Sequence, residues 1–255
     1  TELGPDVEGL EVGDRVAWAS VPGSYAEIVN APAAALVKLP EAVASDVAAA
    51  AMLQGMTAHY LCRTTYPATS ADTALVHAAA GGVGLVLIQM LRRIGTRVIG
   101  TCSSEEKETL ARNAGADHVI RYDRSDVAEE VARTTDGKRC DVVYDSVGQA
   151  TFEGSLASLR PRGMLVLFGQ SSGAVPPFDL QRLNASGSLF VTRPSLAHYT
   201  ATRDELEWRA GDVLGDVARG DLDIRIGARF PLAQAAGAHE ALEGRRTTGK
   251  VLLIP

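Results

Sequence analysis

A glycine-rich turn between an apolar strand and a helix is the part of the sequence best suited to bind a phosphate group. Thr73–Gly84 reads TALVHAAAGGVG, and apolar residues at helical spacing follow over 85–94. The N–H groups in the first turn of a helix are unpaired and partly positive, and glycines let a phosphate reach them. In the dinucleotide fingerprint G-x-G-x-x-G, Ala79 replaces the first glycine, while Gly81 and Gly84 supply the second and third. The pattern predicts a pyrophosphate site, and it also fits an ordinary strand-to-helix turn.

The end of the next predicted strand, Arg97–Thr101, indicates which dinucleotide such a site would take. NAD sites carry Asp or Glu about 20 residues after the fingerprint, where the carboxylate binds the ribose. Here no acid stands at the strand tip, and Ser103, Ser104 and Lys107 follow it instead. Two hydroxyls, a helix N-terminus and an ammonium group suit the 2′-phosphate of NADP, with Tyr122 placed after the third strand to close over it. We therefore expect NADPH rather than NADH as the cofactor.

The same residues also have a purely structural interpretation. Ser103 with Glu106 three residues later forms a predicted capping box, which would make Ser103 the helix N-cap and Lys107 an ordinary surface charge. Glu105 and Glu106 reduce the positive potential of this segment. Arg121, next to Tyr122, is a second candidate for closing over a phosphate. We favour the phosphate site because it lies within a predicted dinucleotide fold.

Loops after the later strands are rich in glycine and serine. Asp145, Ser146 and Gly148 follow the fourth strand, Gly169–Gly173 (GQSSG) follows the fifth, and Arg193 follows the sixth. Ligands of open parallel sheets bind beyond the carboxyl ends of the strands, so these residues are expected to border the cofactor. The alternative is ordinary loop chemistry, with the arginine capping a helix.

No metal site is predicted. The five histidines are scattered, and neither an H-x-x-x-H pattern nor a Cys–His cluster appears. His59 and His77 lie in apolar surroundings, where a hydrogen-bonded core histidine is the expected role. No tyrosine has a lysine four residues later, which disfavours a short-chain dehydrogenase.

Composition limits the possible partners and location. The 255 residues, 46% of them hydrophobic, suffice for one large or two ordinary domains. A net charge of −6 with interspersed signs argues against nucleic acid and anionic membrane as partners. No apolar run reaches membrane-spanning length and no signal peptide is evident. Cys62, Cys102 and Cys140 are too far apart and too few for a disulfide framework, which favours the cytoplasm.

From Thr73 onward, strands and helices alternate. This pattern predicts an α/β fold with a doubly wound parallel sheet of Rossmann type. The predicted strands of that sheet are Thr73–Ala78, Arg97–Thr101, His118–Ile120, Cys140–Tyr144, Met164–Phe168 and Ser188–Thr192. Short β-like pieces precede this region, namely Arg15–Ala19, Tyr25–Val29 and Leu36–Lys38, and a long amphipathic helix, Arg203–Arg219, follows it.

Seven blocks spread over nearly the whole chain support a family resemblance. They are VGDRVAW at 12–18, GMTAHYL at 55–61, HAAAGGVG at 77–84, VVYDSVG at 142–148, LFGQSSGA at 167–174, LFVTRPSL at 189–196 and TGKVLLIP at 248–255. The chain resembles the zinc-independent quinone oxidoreductases, the zeta-crystallin-like branch of the medium-chain dehydrogenase/reductase superfamily. Alanine at the first fingerprint position is normal in that family.

The resemblance implies two domains with NADPH between them. Residues 1–56 and 194–255 would form a GroES-like, mainly-β catalytic domain, and 57–193 the NADPH-binding Rossmann domain. Thr57 would orient the substrate and the nicotinamide. The residues implied in cofactor binding are Gly81, Gly82, Val83 and Gly84 at the pyrophosphate; Ser103, Ser104, Lys107 and Tyr122 at the 2′-phosphate; and Ser146, Phe168, Gly169, Ser171, Phe190, Thr192, Arg193 and Lys250 elsewhere along the cofactor.

The resemblance also implies an activity. We expect hydride transfer from NADPH to a quinone or an electron-poor enone without a metal, in a homodimer joined through strand Ser188–Thr192. An alkenal or enoyl-thioester reductase is one alternative. The family begins with a substantial stretch before the VGDRV block that this sequence lacks, so we expect a fragment with an incomplete catalytic lobe. A cofactor-binding protein without turnover is therefore the second alternative.

Overall fold

The computed structural model describes residues 1–244 and 246–255, and the chain divides into two compact units. One unit comprises Ala58–His198, and the other combines Thr1–Thr57 with Tyr199–Pro255. Among the described residues, no helix combines the length and the apolar character needed to cross a bilayer.

The described residues form the following strands and helices. The strands are β1 (Val16–Ala17), β2 (Val37–Lys38), β3 (Thr73–Val76), β4 (Arg97–Cys102), β5 (His118–Arg121), β6 (Cys140–Asp145), β7 (Leu159–Leu167), β8 (Phe190–Thr192), β9 (Ile226–Pro231) and β10 (Lys250–Ile254). The α-helices are α1 (Ser45–Tyr60), α2 (Gly82–Ile94), α3 (Glu105–Asn113), α4 (Val127–Thr134), α5 (Phe152–Ala157), α6 (Gln181–Ala185), α7 (Leu196–Tyr199), α8 (Arg203–Ala218) and α9 (Ala235–Glu243).

In the described part of the chain, six strands of the 58–198 unit form one parallel sheet. Their order is β5-β4-β3-β6-β7-β8, and every neighbouring pair is parallel. Numbered from the first strand of the unit, this is the 3-2-1-4-5-6 order of the Rossmann fold. The predicted doubly wound sheet is therefore confirmed. The strand order reverses between β3 and β6, so the ligand crevice of this fold class is expected at the carboxyl ends of those two strands.

Aliphatic residues from adjacent strands form the core of this sheet. Leu75 pairs in register with Ile99 on one side and with Val143 on the other, and Val143 pairs with Leu165. All four side chains are fully buried. Burying each contributes about 1.5–3 kcal/mol, which fixes the register of the strands and therefore the positions of their carboxyl ends.

The second unit contains two small sheets and the long helices. β1 and β2 form an antiparallel pair, and β9 and β10 a parallel pair. Gly55 within α1 is required by packing, because a Cβ at this position would lie 2.5 Å from Val213 Cγ1 of α8. A capping box between Thr202 and Glu205 begins α8.

One predicted strand does not form, and others have different bounds; β7, for example, begins at Leu159 rather than Met164. Tyr25–Val29 is not a strand: the segment before it folds into a local turn in which Trp18 Nε1 donates to Ser24 Oγ at 2.9 Å. The last strand of the large sheet begins at Phe190 rather than Ser188, because Ser188 has a φ of +56° and cannot extend the strand.

Candidate functional site

The turn from Ala78 to Gly84, hereafter the phosphate turn, joins the end of β3 to the start of α2. Gly81 is the N-cap of α2 in an extended conformation, and no side chain caps the helix there. Gly81 N donates to Ala78 O at 2.8 Å, which closes the turn immediately before the helix. The first N–H groups of α2, beginning at Gly82 and Val83, therefore have no side-chain cap to compete with an anion.

The backbone of the phosphate turn is fixed to both neighbouring strands. Ala79 N donates to Thr101 O of β4 at 3.0 Å, and His77 N donates to Tyr144 O of β6 at 3.0 Å. Between them, Ala78 has a φ of +50°, a left-handed conformation that favours glycine and that the surrounding hydrogen bonds maintain.

Two glycines explain the unusual fingerprint. At Gly84, a Cβ would lie 2.4 Å from Ala78 O and 2.7 Å from Ala79 O, so no side chain fits at the third position. At Gly100, in the adjacent strand, a Cβ would lie 2.9 Å from the Cβ of Ala79. The glycine on β4 thus makes the room that alanine needs at the first fingerprint position, and the cradle for a phosphate is preserved.

The residues predicted to bind the 2′-phosphate lie at the end of β4. They are Ser103, Ser104 and Lys107, which follow β4, and Tyr122, which follows the neighbouring strand β5. We call these four residues the serine-lysine niche. Lys107 Nζ donates to Ser103 Oγ at 3.4 Å, and Ser104 Oγ accepts from Lys107 N at 3.3 Å. Tyr122 N donates to Cys102 O at 3.2 Å, and its side chain is 47% exposed. The structure therefore brings all four predicted residues to one strand end.

One prediction about this segment is wrong. The N-cap of α3 is Ser104, not Ser103, so the predicted capping box between Ser103 and Glu106 does not form. The strand runs one residue further than predicted, to Cys102, and the helix start moves by one residue with it. This shift leaves the Ser103 hydroxyl for the Lys107 ammonium.

The charges around the niche distinguish Arg121 from Tyr122, the two residues predicted to close over the 2′-phosphate. Arg121 donates to both carboxylate oxygens of Asp123, at 2.8 and 2.7 Å. This ion pair raises the pKa of Arg121 and lowers the pKa of Asp123, chiefly through the side-chain hydrogen bonds. Arg121 is thus engaged with a carboxylate, which favours Tyr122 of the two candidates for closing over a phosphate.

The loops after β6 and β7 are held against each other. Asp145 is fully buried and its Oδ1 accepts from Val147 N at 2.7 Å. Ser171 N donates to Ser146 O at 3.2 Å, and a Cβ at Gly169 would lie 2.4 Å from the same oxygen. Ser146 and Gly169 therefore have packing roles whatever they bind.

Gly169–Gly173 (GQSSG) also fits the G-x-S-x-G pattern of hydrolase nucleophile elbows. This match was missed in the sequence. An elbow requires a strand followed at once by a helix. Here β7 leads into turns and irregular chain instead. The structural context of a nucleophilic serine is therefore missing at Ser171.

The remaining predicted cofactor residues of this unit lie at the edge of the sheet. Within the residues that the structure describes, β8 is the last strand of the sheet and pairs only with β7, and it exposes Phe190 (57%) and Val191 (39%). Arg193 is exposed, and its guanidinium donates to Pro194 O at 3.2 Å. Phe168 and Thr192 are half-buried near the ends of the two strands.

Two predicted residues belong to the other unit. Thr57 is 8% exposed and its hydroxyl donates to Leu53 O at 2.7 Å, so the oxygen retains only acceptor capacity for a ligand. Lys250 begins β10, and burial lowers the pKa of its ammonium group. Their roles toward a cofactor stay predictions.

Sequence reasoning missed a buried polar network at the switch point of the sheet. His77 is a hydrogen-bonded core histidine, as expected, and its partners are Thr101 and Ser155. Ser155 in turn contacts Asp145. The only sequence signal was that short polar residues replace aliphatic ones where buried strands end.

Three comparisons with known proteins give the family context. Residues 82–207 match the family described as zinc-binding dehydrogenase. The chain is 48% identical over 254 residues to a quinone oxidoreductase of Pseudomonas aeruginosa, covering 99% of this chain and 78% of that protein. It is 42% identical over 258 residues to a 2-haloacrylate reductase of Burkholderia sp, covering 100% of this chain and 78% of the relative.

A solved structure gives the same result for the fold. The Escherichia coli quinone oxidoreductase, determined in complex with NADPH, superposes with a TM-score of 0.97 at 42% identity, covering 100% of this chain and 79% of that one. Within the described residues, no group of three or more His, Cys, Asp or Glu side chains is arranged to hold a metal ion. The chain belongs to the quinone oxidoreductases, an enzyme family of the medium-chain dehydrogenase/reductase superfamily.

Proposed function

We propose that the protein is an NADPH-dependent oxidoreductase that reduces quinones or electron-poor enones without a metal. The observation that carries the proposal is the pairing of an uncapped glycine turn with the serine-lysine niche on adjacent strands. A helix start without a side-chain cap, in a turn packed so closely that no side chain fits at Gly84, suits a pyrophosphate. The hydroxyls and ammonium of Ser103, Ser104 and Lys107 suit one further phosphate, which distinguishes NADP from NAD.

The chain's own part in the reaction is binding and orientation. The cofactor supplies the hydride, which with a proton from solvent converts a quinone to a hydroquinone. The phosphate turn would hold the pyrophosphate, and the serine-lysine niche would hold the 2′-phosphate on the adenosine ribose. We propose that Phe168, Gly169 and Ser171 border the nicotinamide side. We also propose that Thr57 orients the nicotinamide, because its hydroxyl oxygen can accept from a carboxamide N–H while its own proton stays on Leu53 O.

We also propose a two-domain organisation and a homodimeric assembly. Residues 1–56 and 194–255 would form the catalytic domain and 57–193 the cofactor domain. The unpaired edge of β8, with Phe190 and Val191 exposed, supports a homodimer joined through this strand. The three buried free thiols support a cytoplasmic location.

The test is turnover with matched cofactors. Purified protein is mixed with 1,4-benzoquinone and either NADPH or NADH, and the loss of reduced-nicotinamide absorbance is followed. We expect oxidation of NADPH at least tenfold faster than oxidation of NADH at low cofactor concentration. Tight NADPH binding with no oxidation by any acceptor would instead support a binding protein, and equal rates with both cofactors would contradict the niche assignment.

A second candidate acceptor class is an activated alkene, as in alkenal or enoyl-thioester reduction. The similarity to a 2-haloacrylate reductase supports it. Reducing a carbon–carbon double bond requires protonation of carbon as well as hydride transfer. A panel of quinones, alkenals, acrylates and enoyl thioesters, compared by kcat/KM, separates the two classes.

A further inference from the structure

A continuous chain of buried polar side chains runs beneath the phosphate turn. Thr101 Oγ1 lies 3.0 Å from His77 Nδ1, and His77 Nε2 lies 3.0 Å from Ser155 Oγ. Ser155 Oγ lies 2.7 Å from Asp145 Oδ2. Thr101, Ser155 and Asp145 are fully buried, and His77 is nearly so. The chain therefore connects β4, β3, α5 and β6 without access to solvent.

The donors and acceptors in this chain can be assigned from Asp145 outward. Its carboxylate accepts from Val147 N, Gly148 N, Thr151 Oγ1 and Ser155 Oγ. Ser155 has one hydroxyl proton and gives it to the carboxylate, so Ser155 Oγ must accept from His77 Nε2–H. His77 Nδ1 is then an acceptor and receives the Thr101 hydroxyl proton.

Burial supports the neutral form that this assignment requires. Desolvation lowers the pKa of His77, and the opposing attraction of Asp145 is the smaller influence. A neutral imidazole with Nε2–H and an unprotonated Nδ1 satisfies every contact in the chain. The other tautomer could donate Nδ1–H to the Thr101 hydroxyl oxygen, but it would set the Nε2 lone pair against the lone pairs of Ser155 Oγ, whose proton is on Asp145.

The backbone atoms of the same residues hold the strand ends that the cofactor is proposed to contact. Thr101 O accepts from Ala79 N of the phosphate turn, and Tyr144 O accepts from His77 N. Asp145 O accepts from Phe168 N at 2.8 Å, which ties in the end of β7. The buried side chains thus connect residues whose backbone hydrogen bonds hold the ends of β3, β4, β6 and β7 in place.

We propose that His77, held as the neutral Nε2–H tautomer by Ser155 and Asp145, is a positioning residue that keeps the phosphate turn in its binding shape. The proposal rests on the proposed function only for the identity of the ligand. It makes no use of His77 or Ser155 as a nucleophile, since both are sealed from solvent.

The experiment compares Ser155→Ala with Ser158→Ala. Ser158 is also fully buried, but its hydroxyl donates only to Gly154 O within the same segment, at 2.7 Å. We expect both variants to lower the melting temperature similarly. Only Ser155→Ala should speed amide hydrogen exchange at Ala79 and Gly81, by about tenfold, because it leaves a buried N–H of His77 unpaired. This measurement needs no cofactor.

Two further readouts separate positioning from simple loss of stability. In the unaltered protein, ¹⁵N spectra of labelled histidine should show His77 as the neutral Nε2–H tautomer, and Ser155→Ala should lose that preference. Ser155→Ala should also weaken NADPH and NADH binding by the same factor, about three- to tenfold, with their ratio unchanged. Ser158→Ala should leave both affinities as they are.

Three results would overturn the proposal. They are an Nδ1–H or protonated His77 at neutral pH, equal turn exchange in the two variants, and equal loss of cofactor affinity in both. If the unaltered protein binds no dinucleotide, the proposed function fails. The exchange and tautomer measurements then still decide whether His77 positions the turn.

Discussion

The phosphate turn and the serine-lysine niche lie on adjacent strands of one sheet but are built differently. The turn is made of backbone. Ala79 N ties it to β4, His77 N just before it is bonded to β6, and glycine stands where a side chain would clash. The niche is made of side chains on a strand tip and a helix start, partly open to solvent. A rigid backbone cradle serves any dinucleotide, whereas adaptable side chains choose between two dinucleotides.

Gly84→Ala should have the largest effect and should remove binding of both cofactors. The new Cβ would lie 2.4 Å from Ala78 O, inside the backbone of the turn itself, so we expect a loss of about 3 kcal/mol in the free energy of unfolding. Chemical denaturation and dinucleotide titration measure the two effects.

Gly154→Ala is the control: a Cβ there meets nothing within 4 Å, and alanine in a helix should stabilise by about 0.5–1 kcal/mol. A Gly84→Ala protein with normal stability and NADPH affinity would show that the turn is not close-packed.

Gly100→Ala should destabilise by about 2 kcal/mol, because its Cβ would lie 2.9 Å from the Cβ of Ala79. Combining it with Ala79→Gly restores the usual fingerprint and removes that contact. The double variant should recover most of the loss, giving a coupling energy of about 1 kcal/mol or more in denaturation experiments. Strict additivity of the two substitutions would refute the account of why alanine replaces glycine here.

The pH dependence of stability should report on His77, the residue that precedes the phosphate turn. The pKa of buried His77 is lowered, so the unfolded chain binds a proton there before the folded protein does. Its contribution is therefore complete above the unfolded pKa of about 6.5 and declines as pH falls toward the folded value. Replacing His77 by Gln should make the decline between pH 6.5 and 5 shallower by at most about 1.4 kcal/mol per pH unit. An unchanged slope would mean that folding does not lower the pKa of His77.

The sequence predicted the parts of this molecule that depend on local pattern. Apolar strands separated by helices and a glycine turn predicted the sheet and the phosphate turn, because both follow from the spacing of residues along the chain. The N-cap of α3 could not be chosen in this way, since Ser103 and Ser104 are both good caps. The choice depends on β4 running to Cys102, which pairs with Arg121 of β5.

The buried network was missed for a similar reason. His77, Thr101, Asp145 and Ser155 are far apart in the sequence, and only the parallel register of β3, β4 and β6 brings their side chains together. The sequence of Tyr25–Val29 suits a strand equally well, but in the described residues no partner strand pairs with it. Local preference alone does not make a strand.

Direct titration of NADPH and NADH into the unaltered protein and Lys107→Ala tests the central claim most directly. Lys138→Ala, at an exposed lysine away from the strand tip, is the control. The account predicts that the unaltered protein binds NADPH at least tenfold more tightly than NADH, and that Lys107→Ala loses most of this preference while NADH affinity stays the same. Equal affinity for the two cofactors in the unaltered protein, or a preference that survives in Lys107→Ala, would contradict it.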